Sequence, residues 1–183
     1  MIRADSVGIG NLARDLARVA ADAPKVFAQA ASSVARASGT EAKREITAIY
    51  NIKQSRVGES LISVADGYEV ITTGKAKGIT LQSFGGRQTA RGYSAAVRKG
   101  SRKVIRSGFE SKIAIKHEDG SEGSVTLPLQ RVGRSRYPIR VLYGPSVASM
   151  LRNREVSERF VLRQSIRARD ELTRRIFREL KAR

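Results

Sequence analysis

The chain of 183 residues contains no cysteine and a single histidine, His117. The lack of cysteine excludes disulfides, thiolate metal sites and cysteine nucleophiles. With one histidine, neither a multi-histidine metal set nor a conventional catalytic triad is expected. We therefore predict that the protein is not an enzyme and that it uses no metal ion and no cofactor.

Long apolar runs are also missing. No run approaches the ~20 residues needed to span a bilayer, and the first ten residues lack the apolar stretch of a secretory signal. These features predict a soluble chain that is made in a cytoplasm and has no membrane partner.

Three segments resemble catalytic or ligand-binding motifs without satisfying them. Gly144–Ala148 is similar to a nucleophile elbow but lacks its final glycine, so Ser146 is interpreted as a helix N-cap. Gly74–Gly78 is a basic turn that lacks the spacing of a phosphate loop. Glu118, Asp119 and Glu122 could share a cation, but a solvated acidic loop or a docking point for a neighbour's arginines is favoured.

The charge is strongly unbalanced. There are 35 Lys and Arg against 17 Asp and Glu, which gives a net charge of +18. Arginine dominates, and after Gly120 the chain has 14 arginines and one lysine. The planar guanidinium suits bidentate pairing with carboxylates or phosphates. The partners predicted by this bias are therefore protein carboxylates or, alternatively, nucleic-acid phosphates.

Thirteen arginines are the candidate contacts to other subunits or to DNA. The central group lies on predicted hairpin turns and contains Arg87, Arg91, Arg98, Arg102 and Arg106. A second group precedes the Tyr-Gly-Pro-Ser segment and contains Arg131, Arg134, Arg136 and Arg140. A third group recurs along the C-terminal helix and contains Arg163, Arg167, Arg174 and Arg178.

The hydrophobic pattern predicts an α+β fold with N-terminal helices, a central antiparallel β-sheet and a long C-terminal helix. Residues 1–61 have helical periodicity, with an interruption at Pro24 and a second helix starting near it. Residues 62–145 alternate and are punctuated by glycines, which indicates strands joined by short turns. Residues 146–183 are again helical. We interpret these ranges as one compact domain with helical extensions.

The C-terminal helix has a thin apolar stripe. Its members are Leu162, Ile166, Ile176, Phe177 and Leu180. Asp170–Arg174 and Glu171–Arg175 have the spacing of i,i+4 ion pairs. Such a stripe is too thin to anchor the helix on its own domain, so we predict that it packs on a partner.

Four segments carry a family resemblance. Residues 137–147 (YPIRVLYGPSV) place a short extended piece between Pro138 and Pro145, followed by a turn at Gly144 into a helix. Together with residues 79–89 (ITLQSFGGRQT), 92–97 (GYSAAV) and 104–109 (VIRSGF), this joint resembles the minor tail protein Z family of long-tailed bacteriophages and prophages. The resemblance covers roughly residues 20–155, and residues 116–130 match no part of it.

The resemblance implies a structural virion protein that completes the tail at its head-proximal end and forms part of the head–tail connector. It also implies a role in positioning the end of the packaged DNA. The expected partners are further copies of the chain in a six-fold ring, tail terminator and tail tube proteins, head connector proteins and, non-specifically, double-stranded DNA. The expected location is the tail or neck of the virion, after assembly in the host cytoplasm. The alternative is a free basic DNA- or RNA-binding protein.

Overall fold

A computed structural model describes residues 6–116, 122–133 and 135–181, and within these ranges the side chains of residues 6–19, 115, 116 and 180 are left out. The described residues form four helices and ten strands. The helices are α1 (Ser6–Ile49), α2 (Gln54–Gly58), α3 (Val147–Leu151) and α4 (Arg154–Lys181). The strands are β1 (Leu61–Asp66), β2 (Glu69–Gly74), β3 (Gly78–Thr80), β4 (Arg87–Thr89), β5 (Gly92–Arg98), β6 (Ser101–Ile105), β7 (Gly108–Lys116), β8 (Glu122–Arg131), β9 (Ile139–Val141) and β10 (Tyr143–Ser146).

Helix α1 continues through Pro24, so the predicted interruption is wrong. Proline removes the amide that would bond the carbonyl of Ala20. Both Ala20 and Pro24 are exposed, and water can hydrate that carbonyl. The surrounding alanine-rich sequence favours helix on both sides of the proline. One unfavourable residue therefore does not end a helix of 44 residues.

The strands form several small antiparallel sheets, which agrees with the predicted α+β class. Their orders are β1–β2, β3–β10, β4–β5–β6 and β7–β8–β9. In the longest ladder, β7 and β8 pair from Gly108↔Gln130 to Lys116↔Glu122. Strand β9 covers only the end of β8, from Leu129 to Arg131.

The chain divides into two compact units that are discontinuous in sequence. Unit 1 contains the residues up to Glu41, Ser63–Thr72 and the residues from Arg159 onward. Unit 2 contains Ala42–Ile62 and Thr73–Glu158.

Unit 1 is built on the contact between α1 and α4, which run antiparallel. The hydroxyl of Ser38 donates to Oε1 of Gln164 at 2.6 Å, and nearer the other end Arg175 donates to Oε1 of Gln29 at 2.9 Å. The side chains of α1 that are buried in this unit include small ones, namely Ala30, Ala31, Val34 and Ala35. Helix packing here combines small apolar residues with polar pairs.

Unit 2 contains the principal hydrophobic core. Its buried members include Ile46, Tyr50, Val57, Ile79, Leu81, Phe84, Tyr93, Leu142, Val147, Met150 and Val156. The segments that carry the family resemblance meet in this core. Leu81 donates its amide to the carbonyl of Leu142 at 3.1 Å, and Tyr143 pairs with Thr80 in the β3–β10 ladder. The segments that carry the resemblance therefore contribute to the packing of the unit 2 core.

The segment from Tyr143 onward differs in detail from the prediction. Pro145 lies in β10, and α3 starts at Val147. Ser146 is the N-cap of α3, and its hydroxyl accepts from the amide of Ser149 at 3.2 Å, which confirms the predicted cap. The C-terminal helical region then breaks at Arg152 and Asn153 before α4 begins.

Candidate interaction surfaces

The central arginine group lies on β4–β5–β6 and its turns, in unit 2. Arg87 is in β4, Arg98 ends β5 and Arg102 is in β6. Arg91 and Arg106 lie in the turns at the other end of β5, and all five side chains are exposed. The backbones of these two turns approach each other at Gly92. A Cβ atom at this position would lie 2.2 Å from the carbonyl oxygen of Ile105.

Two members of this group stabilise their own unit. Arg102 donates from both terminal nitrogens to the carbonyl of Gly85 at 3.2 Å and reaches the hydroxyl of Ser94 at 3.3 Å. The guanidinium of Arg98 lies 5.9 Å from the ring centre of Tyr50, within cation–π range. These contacts give both arginines a structural role.

The other three central arginines, Arg87, Arg91 and Arg106, have no hydrogen-bond, ion-pair or ring partner within residues 6–116, 122–133 and 135–181. Exposed guanidinium groups of this kind remain available to carboxylates or phosphates. Of the five central arginines, the structure thus leaves one on a strand and two on adjacent turns without a partner among the described residues.

The second group has mostly internal contacts. Arg131 lies 5.4 Å from the ring centre of Phe109, and Arg136 lies 5.9 Å from that of Tyr137. Arg140 donates to Oε1 of Gln130 at 2.7 and 3.0 Å. Arg134 lies outside the described residues. This group supports the β8–β9 ladder more than it forms an open basic surface.

The third group follows α4 in unit 1. Arg163 approaches Glu41 at 3.7 Å. Arg174 pairs with Glu171, three residues away, so the predicted Asp170–Arg174 pair is wrong. The predicted Glu171–Arg175 pair is confirmed at 2.8 Å. Arg167 and Arg178 are exposed and have no partner in the described part of the chain.

Glu171 is the centre of the polar contact between α1 and α4. Its side chain is only 11% exposed. Burial by itself would raise the pKa of this carboxyl, but hydrogen bonds from Arg174, Arg175 and Ser33 outweigh burial and hold the pKa below its usual range. The carboxylate therefore stays ionised and stabilises the helix pair. The sequence predicted one of these three partners.

The predicted apolar stripe of α4 is exposed within unit 1. Leu162 is 61% exposed, Ile166 49% and Phe177 58%. Leu180 has no described side chain. The side of α4 that packs on α1 instead carries Gln164, Glu171 and Arg175, because polar pairs hold this contact. Leu162 and Ile166, one turn apart, and Phe177 further along the helix are thus exposed to solvent, and Arg167, next to Ile166, has no partner among the described residues.

The β7–β8 hairpin, residues 108–131, is a second exposed feature. Sequence periodicity predicted its first strand, but the pairing that creates an apolar face was not foreseen. Ile113 lies directly opposite Val125, and both side chains are 39% exposed. Directly paired residues point to the same face of a sheet. The hairpin therefore presents a small apolar surface in unit 2.

Sites for small ligands are poorly supported. Among the described residues no group of three or more potential metal-ligating side chains comes together; His117, Glu118 and Asp119 lie outside them. A groove between α1 and α4 is lined by charges of both signs, including Glu41, Arg163 and Asp170. No described helix is long and apolar enough to cross a membrane.

Comparisons with known proteins identify no relative of this chain. No protein-family model, no curated protein and no solved structure matches the chain significantly. The resemblance carried by residues 79–147 therefore remains a prediction, and the exposed apolar and arginine-bearing surfaces are the main structural clues to function.

Proposed function

We propose that this chain is a structural protein of a phage virion that completes the tail at its head-proximal end. Copies of the chain form a six-fold ring in the neck, which contacts the tail terminator and tail tube on one side and the head connector on the other. The ring also helps to position the end of the packaged DNA through non-specific contacts. The chain assembles in the host cytoplasm and acts without catalysis.

The observation that carries this proposal is the exposed face of α4. Leu162, Ile166 and Phe177 are each about half exposed or more. Polar residues interrupt this stripe at Arg169 and Thr173, but exposed large apolar side chains on one helix face are typical of protein–protein contacts. Arginine neighbours such as Arg167 favour a surface that also offers carboxylates. A protein that assembles with other subunits needs an exposed apolar surface, whereas a free nucleic-acid-binding protein needs a basic surface.

The resemblance of the sequence segments supplies the class of assembly. Its residues are used for packing in unit 2, as the buried Phe84, Tyr93 and Leu142 illustrate. A resemblance carried by core residues supports a shared architecture more than a shared chemical site. This fits a protein whose activity is to be bound by its neighbours.

Deletion of the gene from the genome that encodes this chain tests the proposal. We expect heads and tails to form but to remain unjoined, and complementation with the wild-type gene to restore joined particles. Particle imaging should locate the chain at the head-proximal end of the tail, with a copy number that is a multiple of six. Normal particles after deletion, or a location elsewhere in the virion, would contradict the proposal.

A free nucleic-acid-binding protein is the second candidate, supported by the unpartnered Arg87, Arg91 and Arg106. Mobility-shift titrations over a range of salt concentrations separate the two. A connector protein should bind duplex DNA weakly, with affinity that falls steeply with salt. Replacing all three arginines by glutamine should weaken binding of every sequence equally and reduce the salt slope by roughly one for each phosphate that is no longer neutralised. Tight, sequence-specific binding at physiological salt would favour the second candidate.

A further inference from the structure

Cationic side chains dominate the exposed part of β4–β5–β6. Residues 70–109 form a stretch of 40 residues without a carboxylate side chain, and nine of them are Lys or Arg. Thirteen residues between Arg87 and Ser107 are exposed, and Val104 is the one large apolar residue among them. Seven of the thirteen are cations, which together define the basic sheet surface: Arg87, Arg91, Arg98, Lys99, Arg102, Lys103 and Arg106.

Most of this positive charge is not neutralised within the chain. Five of the seven cations have no hydrogen-bond, ion-pair or ring partner among the described residues; these are Arg87, Arg91, Lys99, Lys103 and Arg106. The other two are held by a carbonyl oxygen and by an aromatic ring, neither of which carries a compensating charge. The basic sheet surface therefore attracts anions from outside the chain.

Pairing within the sheet brings two of the cations to one face. Arg87 lies directly opposite Ser94, and Ser94 lies directly opposite Val104, so these residues share a face. Arg102 is two residues from Val104 and therefore points to the same face, where it contacts the hydroxyl of Ser94 at 3.3 Å. This face thus carries one unpartnered arginine and one arginine that is fixed by its own sheet.

The first carboxylate residue after this stretch approaches the sheet from the other face. The amide of Glu110 donates to Oε1 of Gln88 at 3.0 Å. Gln88 is paired with Tyr93 and alternates with Arg87, so its side chain points to the face opposite to that of Arg87. The exposed face of Arg87 and Arg102 is therefore free of acidic residues from its own strands and turns.

The composition of the basic sheet surface favours a polyanion over a protein as its partner. Protein–protein interfaces have an apolar core from which charged residues are depleted. Protein–DNA interfaces are more polar and much more positively charged. The face of α4 with Leu162, Ile166 and Phe177 is of the first kind, whereas the basic sheet surface, with Val104 as its one exposed large apolar residue, is of the second kind.

The burial of Tyr93 favours duplex over single-stranded nucleic acid. Proteins that bind single strands stack the bases on exposed aromatic side chains. Tyr93 is the one aromatic residue between Gly85 and Gly108, and it is fully buried. A duplex backbone needs positive charge spread over some distance instead. Arg91 precedes β5 and Lys99 follows it, and the eight residues between them correspond to roughly 26 Å. Duplex DNA carries about 15 phosphates over that length.

We propose that the basic sheet surface binds the phosphate backbone of duplex DNA without reading its sequence. Arg87, Arg91 and Arg106 pair with phosphates, and Lys99, at the other end of β5, adds a further contact. Arg102, held on its own sheet, contributes a fixed positive charge. Phosphate contacts of this kind position a protein on a duplex but carry no sequence information. The inference rests on the proposed function for its place in the virion, where this surface lines the passage of the DNA through the ring.

The contact itself is tested on the free full-length protein. Fluorescence anisotropy measures its binding to labelled duplexes of about 20 base pairs over a range of salt concentrations. We expect equal affinity for two unrelated duplex sequences and at least fivefold weaker binding of their separated strands. The triple variant Arg87→Gln, Arg91→Gln, Arg106→Gln should bind duplex at least tenfold more weakly at low salt. The slope of log affinity against log salt should fall by roughly 0.9 for each lost phosphate contact, and adding Lys99→Gln should lower it again.

A matched variant separates this surface from the overall charge of the chain. Arg152→Gln, Arg167→Gln, Arg178→Gln removes the same three charges at exposed positions outside the sheet. This control should keep at least half of the wild-type affinity. Equal losses in the two triple variants would mean that net charge alone attracts DNA and would overturn the inference. So would single-strand binding as tight as duplex binding, or no duplex binding at low salt, which would leave protein carboxylates as the partner.

The inference and the proposed function fail in different ways. If heads and tails join normally but the Arg87, Arg91 and Arg106 variant binds duplex as tightly as the wild type, the DNA contact is rejected and the function is kept. If the chain binds duplex through these arginines but is absent from tails, the function is rejected and the DNA contact is kept.

Discussion

At the scale of single residues, the α1–α4 contact of unit 1 depends on side chains that are normally exposed. Glu171, Arg175 and Gln29 are all polar, yet they hold the two helices together. A carboxylate with several charge-assisted hydrogen bonds is stabilising only while it is ionised. This arrangement makes the stability of unit 1 depend on pH.

Glu171→Gln should lower the free energy of unfolding of unit 1 by about 1–3 kcal/mol at pH 7, because it weakens hydrogen bonds from two arginines. The folded-state pKa of Glu171 is below its unfolded value. The wild-type advantage is therefore fully present above the unfolded pKa of about 4.3, and it declines as pH falls through the folded pKa. Hydrogen exchange of the α4 amides in the wild type and in the Glu171→Gln variant, measured from pH 7 downward, reports this stability difference. An unchanged difference in strong acid would contradict the role of the carboxylate.

Gly92 provides a backbone test in unit 2. It has a φ of 127°, and a Cβ at this position would lie 2.2 Å from the carbonyl oxygen of Ile105. Gly92→Ala should cost about 3 kcal/mol or more, since strain and a backbone clash combine. Gly100→Ala is the matched control, with a φ of 75° but open space around it, and it should cost only about 1–2 kcal/mol. The melting temperatures of the two variants compare these losses of stability. Equal melting temperatures would reject the argument that a backbone clash occurs at Gly92.

At the scale of elements, local signals predicted most of the helices and strands. The alternation within residues 62–145, which includes Tyr93, Ala95 and Val97 of β5, predicts strands. Ser146 is predicted as a cap because N-capping depends on adjacent residues alone. The prediction at Pro24 is wrong because the helix preference of the long alanine-rich segment outweighs the local penalty of one proline. Local chemistry predicts elements well where no distant contact competes.

The pairing of elements, and hence the candidate surfaces, could not be predicted in the same way. The sequence does not reveal that β9 pairs only with Leu129–Arg131, which leaves the first residues of β8 without a second neighbouring strand. It also does not reveal which arginines face internal acceptors, as Arg102 does through Gly85. Both depend on contacts between residues far apart in the chain. The sequence treats thirteen arginines as one class, and the structure separates the twelve that it describes into internally paired side chains and side chains without a partner among the described residues.

Leu162→Glu tests the exposed face of α4. Because Leu162 is 61% exposed, the change should alter the free energy of unfolding by no more than about 0.5 kcal/mol. Incorporation into tails should nevertheless fail, since a charge then occupies the apolar contact. Gln54→Glu adds the same charge at an exposed polar position in α2 and should be incorporated normally. Complementation of a gene deletion measures the incorporation of each variant into tails. Normal incorporation of the Leu162 variant would contradict a role of α4 in the interface.

At the scale of the whole molecule, the two units should differ in their response to truncation. Deletion of residues 157–183 removes the α4 segment of unit 1 but retains Val156, a fully buried member of the unit 2 core. We expect unit 2 to stay folded and tail incorporation to be lost. Amide exchange should show protection retained in β5 and lost in α1 before Glu41. Loss of protection throughout the chain would mean that α4 is required by both units.

The discontinuous composition of unit 1 also sets an order for folding during synthesis. The ribosome emits residues in sequence at roughly 5–20 per second, so unit 2 is complete once Glu158 has emerged. The alanine-rich face of α1 is synthesised before α4, so it is exposed until α4 has emerged. During that interval Ala30, Ala31 and Val34 lack the helix that later covers them. The nascent chain thus exposes an apolar surface until α4 is synthesised, and a chaperone that recognises small apolar helix faces would bind it there.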